Sequence, residues 1–107
     1  MHITHVQYTV TPEYAATNQR NIGQVMTDLR ALKPAGLRYS TFTKSDGRTF
    51  IHFAIATDEG NATLLALPSF KTFQSELKAS GPEIAPEASK LTLVDSSYDL
   101  NAFVAGR

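Results

Sequence analysis

Apolar and polar residues alternate over residues 3–10 of the chain. Val6, Tyr8 and Val10 fall on one side of this segment, and polar residues fall on the other. Period-two alternation predicts a β-strand with one buried face. Thr11-Pro12-Glu13 then has the composition of a helix start, with Thr11 as the N-cap.

The spacing of apolar residues next changes from two to three or four, which predicts an amphipathic helix that ends at Pro34 and Gly36. Its apolar stripe consists of Ala15, Ile22, Val25, Met26, Leu29 and Leu32. Asn18 interrupts this stripe and is expected to line a cavity between helix and sheet.

Two further strands are predicted over residues 37–44 and 47–56. They are joined by Asp46-Gly47, a dipeptide typical of a tight hairpin. The third strand has two apolar faces, since Ile51, Phe53 and Ile55 lie on one side and Phe50, Ala54 and Ala56 on the other. His52 stands in the middle of this strand.

A second helical segment follows, restarting at Pro68, with Phe70, Phe73 and Leu77 on one side. Residues 82–86 are predicted to form a loop and residues 90–97 a fourth strand. A single domain is expected over residues 1–98, with a C-terminal tail over residues 99–107.

The resulting order, βαββαβ, predicts an α+β, ferredoxin-like fold with an antiparallel sheet in the strand order 4-1-3-2. Both helices then cover one face. We assign that face Val6, Tyr8 and Val10 together with Ile51, Phe53 and Ile55.

The other sheet face is predicted to be mixed in character, too apolar for solvent and too polar for a closed core. It would hold Ile3, His5, Gln7, Thr9, Arg38, Ser40, Phe42, Phe50, His52, Ala54 and Ala56. A face of this kind can close on a second copy of the chain, so a homodimer is expected.

The amino-acid composition restricts the classes of molecule that the protein is expected to bind. Ten basic and ten acidic residues give a formal net charge of zero, which argues against binding to nucleic acid or an anionic membrane. The absence of cysteine excludes thiol catalysis and zinc–thiolate sites. The N-terminus lacks the apolar core of a signal peptide, so a cytoplasmic location is expected.

Two segments carry a resemblance to a known family, "PAGLRYSTFTKSDGRTFIHF" and "LPSFKTFQSEL". Over roughly residues 3–98 the chain resembles the dimeric α+β barrel superfamily, in particular its antibiotic biosynthesis monooxygenase-like branch. The resemblance implies a ferredoxin-like protomer that pairs its sheet with that of a second copy. Members include cofactor-independent oxygenases of aromatic polyketides and haem-degrading enzymes. The chain has no tryptophan, which both groups use in their pockets.

His52 and His5 are the candidate catalytic residues, because they are predicted to lie on neighbouring strands and on one face. Neutral imidazole can act as a base toward an acidic phenol. The alternative is a pair of structural histidines with hydrogen-bonded rings. The candidate substrate-binding residues are Gln7, Arg38, Ser40, Phe42, Phe50 and Asn18, and His52 is expected to point into a cavity near His5.

No metal or organic cofactor is expected, although a single histidine leaves haem binding open. The first functional hypothesis is a cofactor-independent monooxygenase, or an isomerase-like enzyme, acting on an aromatic or polyketide-like molecule. The second is a non-catalytic protein that binds a small hydrophobic ligand on the same scaffold. An RNA-binding domain shares the element order, but the third strand lacks its aromatic pattern.

Overall fold

The computed structural model describes residues 1–106 and contains four strands and four helices. In chain order they are β1 (His2–Thr9), α1 (Ala15–Leu32), β2 (Leu37–Thr43), β3 (Thr49–Ala56), α2 (Asp58–Ala66), α3 (Pro68–Ser80), β4 (Ile84–Lys90) and α4 (Leu100–Ala105). The strands form one antiparallel sheet in the order β2-β3-β1-β4. The predicted ferredoxin-like fold and its strand order are therefore confirmed.

The β2–β3 hairpin turns at the predicted Asp46-Gly47. Gly47 has a φ of 73°, a conformation that glycine adopts without strain. One carboxylate oxygen of Asp46 accepts hydrogen bonds from the backbone N–H groups of Arg48 and Thr49, and the other accepts one from the Thr49 hydroxyl. Gly47 thus allows the turn conformation, and the hydrogen bonds to Asp46 stabilise it.

The start of α1 differs from the prediction. Thr11 is not the N-cap; Tyr14 occupies that position, and no side chain in the described part of the chain caps the helix. Residues 12–14 form a turn before the helix begins. Pro12 is thus in the turn, where its fixed φ is equally acceptable.

The fourth strand also differs from the prediction. β4 covers Ile84–Lys90, of which residues 84–86 were predicted to be loop and Lys90 was the predicted first residue of the strand; residues 91–98 have no regular structure. β4 lies at the edge of the sheet and, among the strands of residues 1–106, pairs only with β1. An edge strand tolerates Pro86, which has no N–H for a second neighbour.

The core lies between the sheet and helices α1–α3. It contains Tyr8, Val10, Val25, Leu29, Leu37, Phe50, Ala56, Leu64, Leu67, Phe70, Phe73 and Leu77. A second, smaller cluster lies on the opposite sheet face, where Leu100 and Val104 of α4 pack against Ile55. Part of the predicted tail therefore packs on the sheet as α4, while residue 107 lies outside the described residues.

None of the helices within residues 1–106 is long and apolar enough to cross a membrane.

Candidate active site

His52 is hydrogen-bonded to a tyrosine on each side. Its Nε2 lies 2.7 Å from the Tyr8 hydroxyl, and its Nδ1 lies 2.6 Å from the Tyr39 hydroxyl. These residues come from three adjacent strands, β1, β2 and β3, and point to the helix-covered face. Because both ring nitrogens have partners, neither is free to hydrogen-bond another molecule.

Asn18 extends this arrangement into α1. Its side chain is fully buried, and its Nδ2 donates to the Tyr8 hydroxyl at 2.9 Å. At the other end, the Thr41 hydroxyl lies 3.3 Å from His52 Nδ1. We refer to Asn18, Tyr8, His52 and Tyr39 as the relay.

Burial controls the protonation of the relay. His52 is 5% exposed, and removal from water lowers the pKa of its imidazole to about 4. Burial raises the pKa of both the Tyr8 and the Tyr39 hydroxyls above its ordinary value, while hydrogen bonds from Asn18 and Thr41 respectively oppose that rise. At neutral pH, His52 is therefore uncharged and both tyrosines keep their protons.

Aromatic side chains hold the relay rings in place. Tyr8 stacks on Phe50 with ring centroids 5.7 Å apart, and His52 lies 5.2 Å from the ring of Phe73. Tyr39 meets Phe70 edge-on at 6.2 Å. Contacts of this kind restrict ring rotation, so the hydroxyls and the imidazole keep their hydrogen-bonding orientation.

A cavity of about 550 Å³, here called the inner cavity, lies between the sheet and helices α2 and α3 and is lined by His52, Tyr8 and Tyr39. Its other lining residues are mostly apolar: Val6, Ala54, Leu64, Leu65, Phe70, Phe73, Leu77, Pro82, Ala85 and Pro86, with Thr4, Asn61, Gln74 and Lys78. Lys78 is the charged residue in this set. A cavity of this size and composition suits a small, largely apolar molecule with one or two polar groups.

Comparison with known proteins identifies the fold. No family model and no curated protein matches the sequence. Among solved structures, an antibiotic biosynthesis monooxygenase has a TM-score of 0.73 at 15% identity over 89% of this chain and 100% of its own. A proposed antibiotic biosynthesis monooxygenase from Deinococcus radiodurans has a TM-score of 0.69 at 16% identity, over 94% of this chain and 99% of its own.

A third similar structure is a variant of SnoaB, a cofactor-independent oxygenase from Streptomyces nogalater. It has a TM-score of 0.65 at 17% identity and covers 92% of this chain and 98% of its own. The chain has the fold of the antibiotic biosynthesis monooxygenases. The resemblance inferred from the sequence is thus confirmed at the level of the fold.

Within this monooxygenase fold, the predicted orientation of β3 is wrong. His52 does point away from Ile51, Phe53 and Ile55, as expected from alternation. It nevertheless faces the helices, because its register partner on β1 is Val6. His5 pairs with Phe53 and lies on the opposite face, so the predicted proximity of His5 and His52 is also wrong.

The remaining candidate residues divide between the two faces. Phe50 and Asn18 lie on the helix side with His52, where Phe50 is 1% exposed and Asn18 contacts Tyr8; the assignment of Phe50 to the open face is wrong. Gln7, Arg38, Ser40 and Phe42 lie on the other face with His5. The structure does not bring that second group together with His52.

Arg38 is held at the edge of the open face by α4. Its Nε donates to the Phe103 carbonyl oxygen at 2.8 Å, and its guanidinium carbon lies 4.9 Å from the centre of the Phe103 ring. Arg38 and Ser40 line a second cavity of about 890 Å³, which is more open than the inner cavity. Tyr39 contributes to the walls of both cavities.

Tyr8 was predicted to be a core residue, and Tyr39 was not among the candidate site residues. A usable indication was present, since both occur in the apolar phase of their strands, where a hydroxyl requires a partner. His52 is the ionisable residue of β3, the strand that pairs with both of theirs. Asn61 and Lys78, which line the inner cavity, gave no comparable indication.

Proposed function

We propose that the chain is a cofactor-independent monooxygenase that oxidises an aromatic, polyketide-like molecule in the inner cavity. The observation that carries the proposal is the convergence of an apolar cavity on the neutral, doubly hydrogen-bonded His52. The structural similarity to SnoaB, a cofactor-independent oxygenase, supports it.

The chemistry matches an anthrone or a hydroquinone. Such a molecule can ionise to an electron-rich enolate or phenolate that reduces molecular oxygen without a metal. For an anthrone, the methylene carbon loses one proton to solvent, and the carbanion passes electrons to O₂. A carbon–oxygen bond forms to give a peroxide, which eliminates water to leave a ketone. The balance is R₂CH₂ + O₂ → R₂C=O + H₂O.

The protein would contribute binding and acidity. The apolar walls, with Phe70, Phe73 and Leu64, would hold the aromatic rings out of water. The relay would supply a hydrogen bond to the ionised substrate oxygen, and a hydrogen bond to a charged form favours that form. His52 would act through the tyrosines and not by direct contact.

We also propose that the active protein is a homodimer that pairs the open sheet faces. Phe42 on this face is 57% exposed, and Ile3, Ile51 and Phe53 are partly exposed beside it. The open face is wider than α4, which covers Ile55 and contacts Ile3 and Phe53. A second copy would remove the remaining apolar surface from water.

Oxygen consumption with 1,8-dihydroxyanthrone, measured in the presence of a metal chelator and corrected for the rate without protein, tests the proposal. The wild-type protein should accelerate oxygen uptake with one O₂ consumed per anthrone. His52→Gln should reduce the acceleration at least tenfold, while His5→Gln, on the other face, should retain it. Tight binding of the anthrone without acceleration would contradict the enzyme and favour the non-catalytic ligand-binding protein.

A further inference from the structure

The relay has a direction, which begins at Asn18. The Nδ2 group of Asn18 can only donate, so the Tyr8 oxygen accepts from it at 2.9 Å. Tyr8 is 1% exposed, and within residues 1–106 the other hydrogen-bond partner of its hydroxyl is His52 Nε2 at 2.7 Å. The Tyr8 proton is therefore satisfied when it points at Nε2.

The direction continues through the imidazole. A neutral ring has one N–H, and if Nε2 accepts, the proton is on Nδ1. Nδ1 then donates to the Tyr39 oxygen at 2.6 Å. With the Asn18 amide as oriented here, the reverse tautomer would give the Tyr8 oxygen two N–H groups and leave its own proton with no acceptor among residues 1–106, which is costly at a buried residue.

The relay therefore ends at the Tyr39 O–H, for which the Thr41 hydroxyl and a molecule in the inner cavity are the available acceptors. Tyr39 is half-buried and lines the inner cavity, so its hydroxyl proton can hydrogen-bond a bound molecule. The proton of Tyr8, in contrast, is already donated to His52. The Thr41 hydroxyl is also near the end of the relay, but its 3.3 Å distance from Nδ1 exceeds that of Tyr39.

We propose, building on the proposed function, that Tyr39 is the catalytic residue that donates a hydrogen bond to the ionised oxygen of a phenol or enol substrate. Asn18 is the positioning residue that sets this direction. In this arrangement His52 stays neutral. Its Nδ1–H donates to the Tyr39 oxygen, and the Tyr39 hydroxyl proton is available to the substrate. The site thereby prefers ionised phenols and enols over their neutral forms and over hydrocarbons, which have no oxygen to accept the hydrogen bond.

The direction can be read from His52 itself. Of the three histidines, His2 and His5 can be replaced by glutamine, which leaves one imidazole for long-range ¹H–¹⁵N NMR. We expect a protonated Nδ1 and an unprotonated Nε2 at pH 7. Asn18→Leu, which removes the donor but keeps the volume, should shift the ring toward a mixture of tautomers. A protonated Nε2 in the double variant with Asn18 intact would overturn the proposal.

The substrate end can be tested with 1,8-dihydroxyanthraquinone, a phenol that does not react with oxygen and changes colour when it ionises. Binding should lower the pKa of its first hydroxyl. Tyr39→Phe should weaken binding of the ionised form about tenfold, as expected for a lost hydrogen bond to a charge. Tyr14→Phe is the matched control, because the Tyr14 hydroxyl is buried without a partner in the described residues and lies outside the inner cavity.

Lys78, the charged residue lining the cavity, needs a separate control, since a cation would also favour the ionised probe. Lys78→Gln should change the affinity by less than Tyr39→Phe does. Equal binding by wild type and Tyr39→Phe, or no binding by wild type, would overturn the proposal. Because the probe is unreactive, a hydrogen bond from Tyr39 can be confirmed even if no oxygenase activity is found, and the reverse also holds.

Discussion

The Tyr8 hydroxyl and His52 Nε2 are 2.7 Å apart on the helix-covered face, and they join the two central strands of the sheet. Val6 of β1 is opposite His52 in the same register. This contact requires β3 to present Phe50, His52, Ala54 and Ala56 to the helices, and Ile51, Phe53 and Ile55 to the other face. The orientation of the strand and the chemistry of the site are therefore one feature.

Replacement of His52 by alanine should destabilise the protein substantially. The change leaves a cavity and removes the partner of one buried and one half-buried hydroxyl, so the free energy of unfolding should fall by about 2–4 kcal/mol. His5→Ala, at a partly exposed position on the other face, should lower it by about 0.5 kcal/mol or less. Urea unfolding at pH 7.5 measures both. Equal losses of unfolding free energy in the two variants would mean that the relay does not stabilise the fold more than an exposed histidine does.

Stability should fall as the solution is made mildly acidic. The pKa of His52 is about 4 in the folded protein against an ordinary value of 6.5, so the unfolded chain takes up the proton first as the pH falls. The contribution of His52 is complete above about pH 6.5 and is lost progressively toward pH 4. The loss can reach about 3 kcal/mol, from about 1.4 kcal/mol for each tenfold change in proton affinity.

His52→Gln should flatten this pH dependence, and urea midpoints at pH 7.5, 5.5 and 4.5 would show it. If the variant keeps the pH dependence of the wild type, the titration of another group is responsible for it. Asp46 does not interfere, because the hydrogen bond from the Thr49 hydroxyl is the main cause that lowers its pKa from 3.8 to about 2. Its contribution is lost only below about pH 4.

Two glycines should respond in opposite directions to alanine. A Cβ at Gly60, in the first turn of α2, would overlap the Gly36 carbonyl oxygen, which accepts the Thr57 N–H at 2.8 Å. Gly60→Ala should therefore cost about 1–3 kcal/mol. Gly23→Ala, within α1 and with open space around the Cβ, should gain about 0.5–1 kcal/mol through helix propensity. Thermal unfolding measures the pair, and a gain at Gly60 would contradict the packing of α2 against the β2 entry.

A charge on the open sheet face should prevent the proposed dimer. Phe42→Asp places a carboxylate where two copies would meet, so light scattering at micromolar concentration should report a protomer of 11.7 kDa where wild type gives twice that mass. Leu32→Asp is the control, because Leu32 is 56% exposed on α1 and is not part of the open sheet face. A wild-type protein that is monomeric at this concentration would contradict the dimer directly.

Local patterns in the sequence determined much of the fold. The alternation around Tyr8, the helical stripe with Val25 and Leu29, and the Asp46-Gly47 turn each reflect interactions within a few residues. Together they predicted the element order and, through the rules for connections, the sheet order. The same reasoning selected His52 as the unusual residue of β3 and Asn18 as the unusual residue of α1, and the structure joins both through Tyr8.

The orientation of β3 and the position of β4 were decided only in the tertiary structure. Both faces of β3 are apolar, so hydrophobicity alone favoured the face with the larger residues, Ile51, Phe53 and Ile55. The actual choice depends on the Tyr8 and Tyr39 hydroxyls, which require a buried partner, and on α4, which covers Ile55 from the other side. Residues 91–97 alternate better than 84–90, but pairing with β1 supplies the backbone partners that define a strand. Partners distant in sequence set both outcomes, and no local pattern contains them.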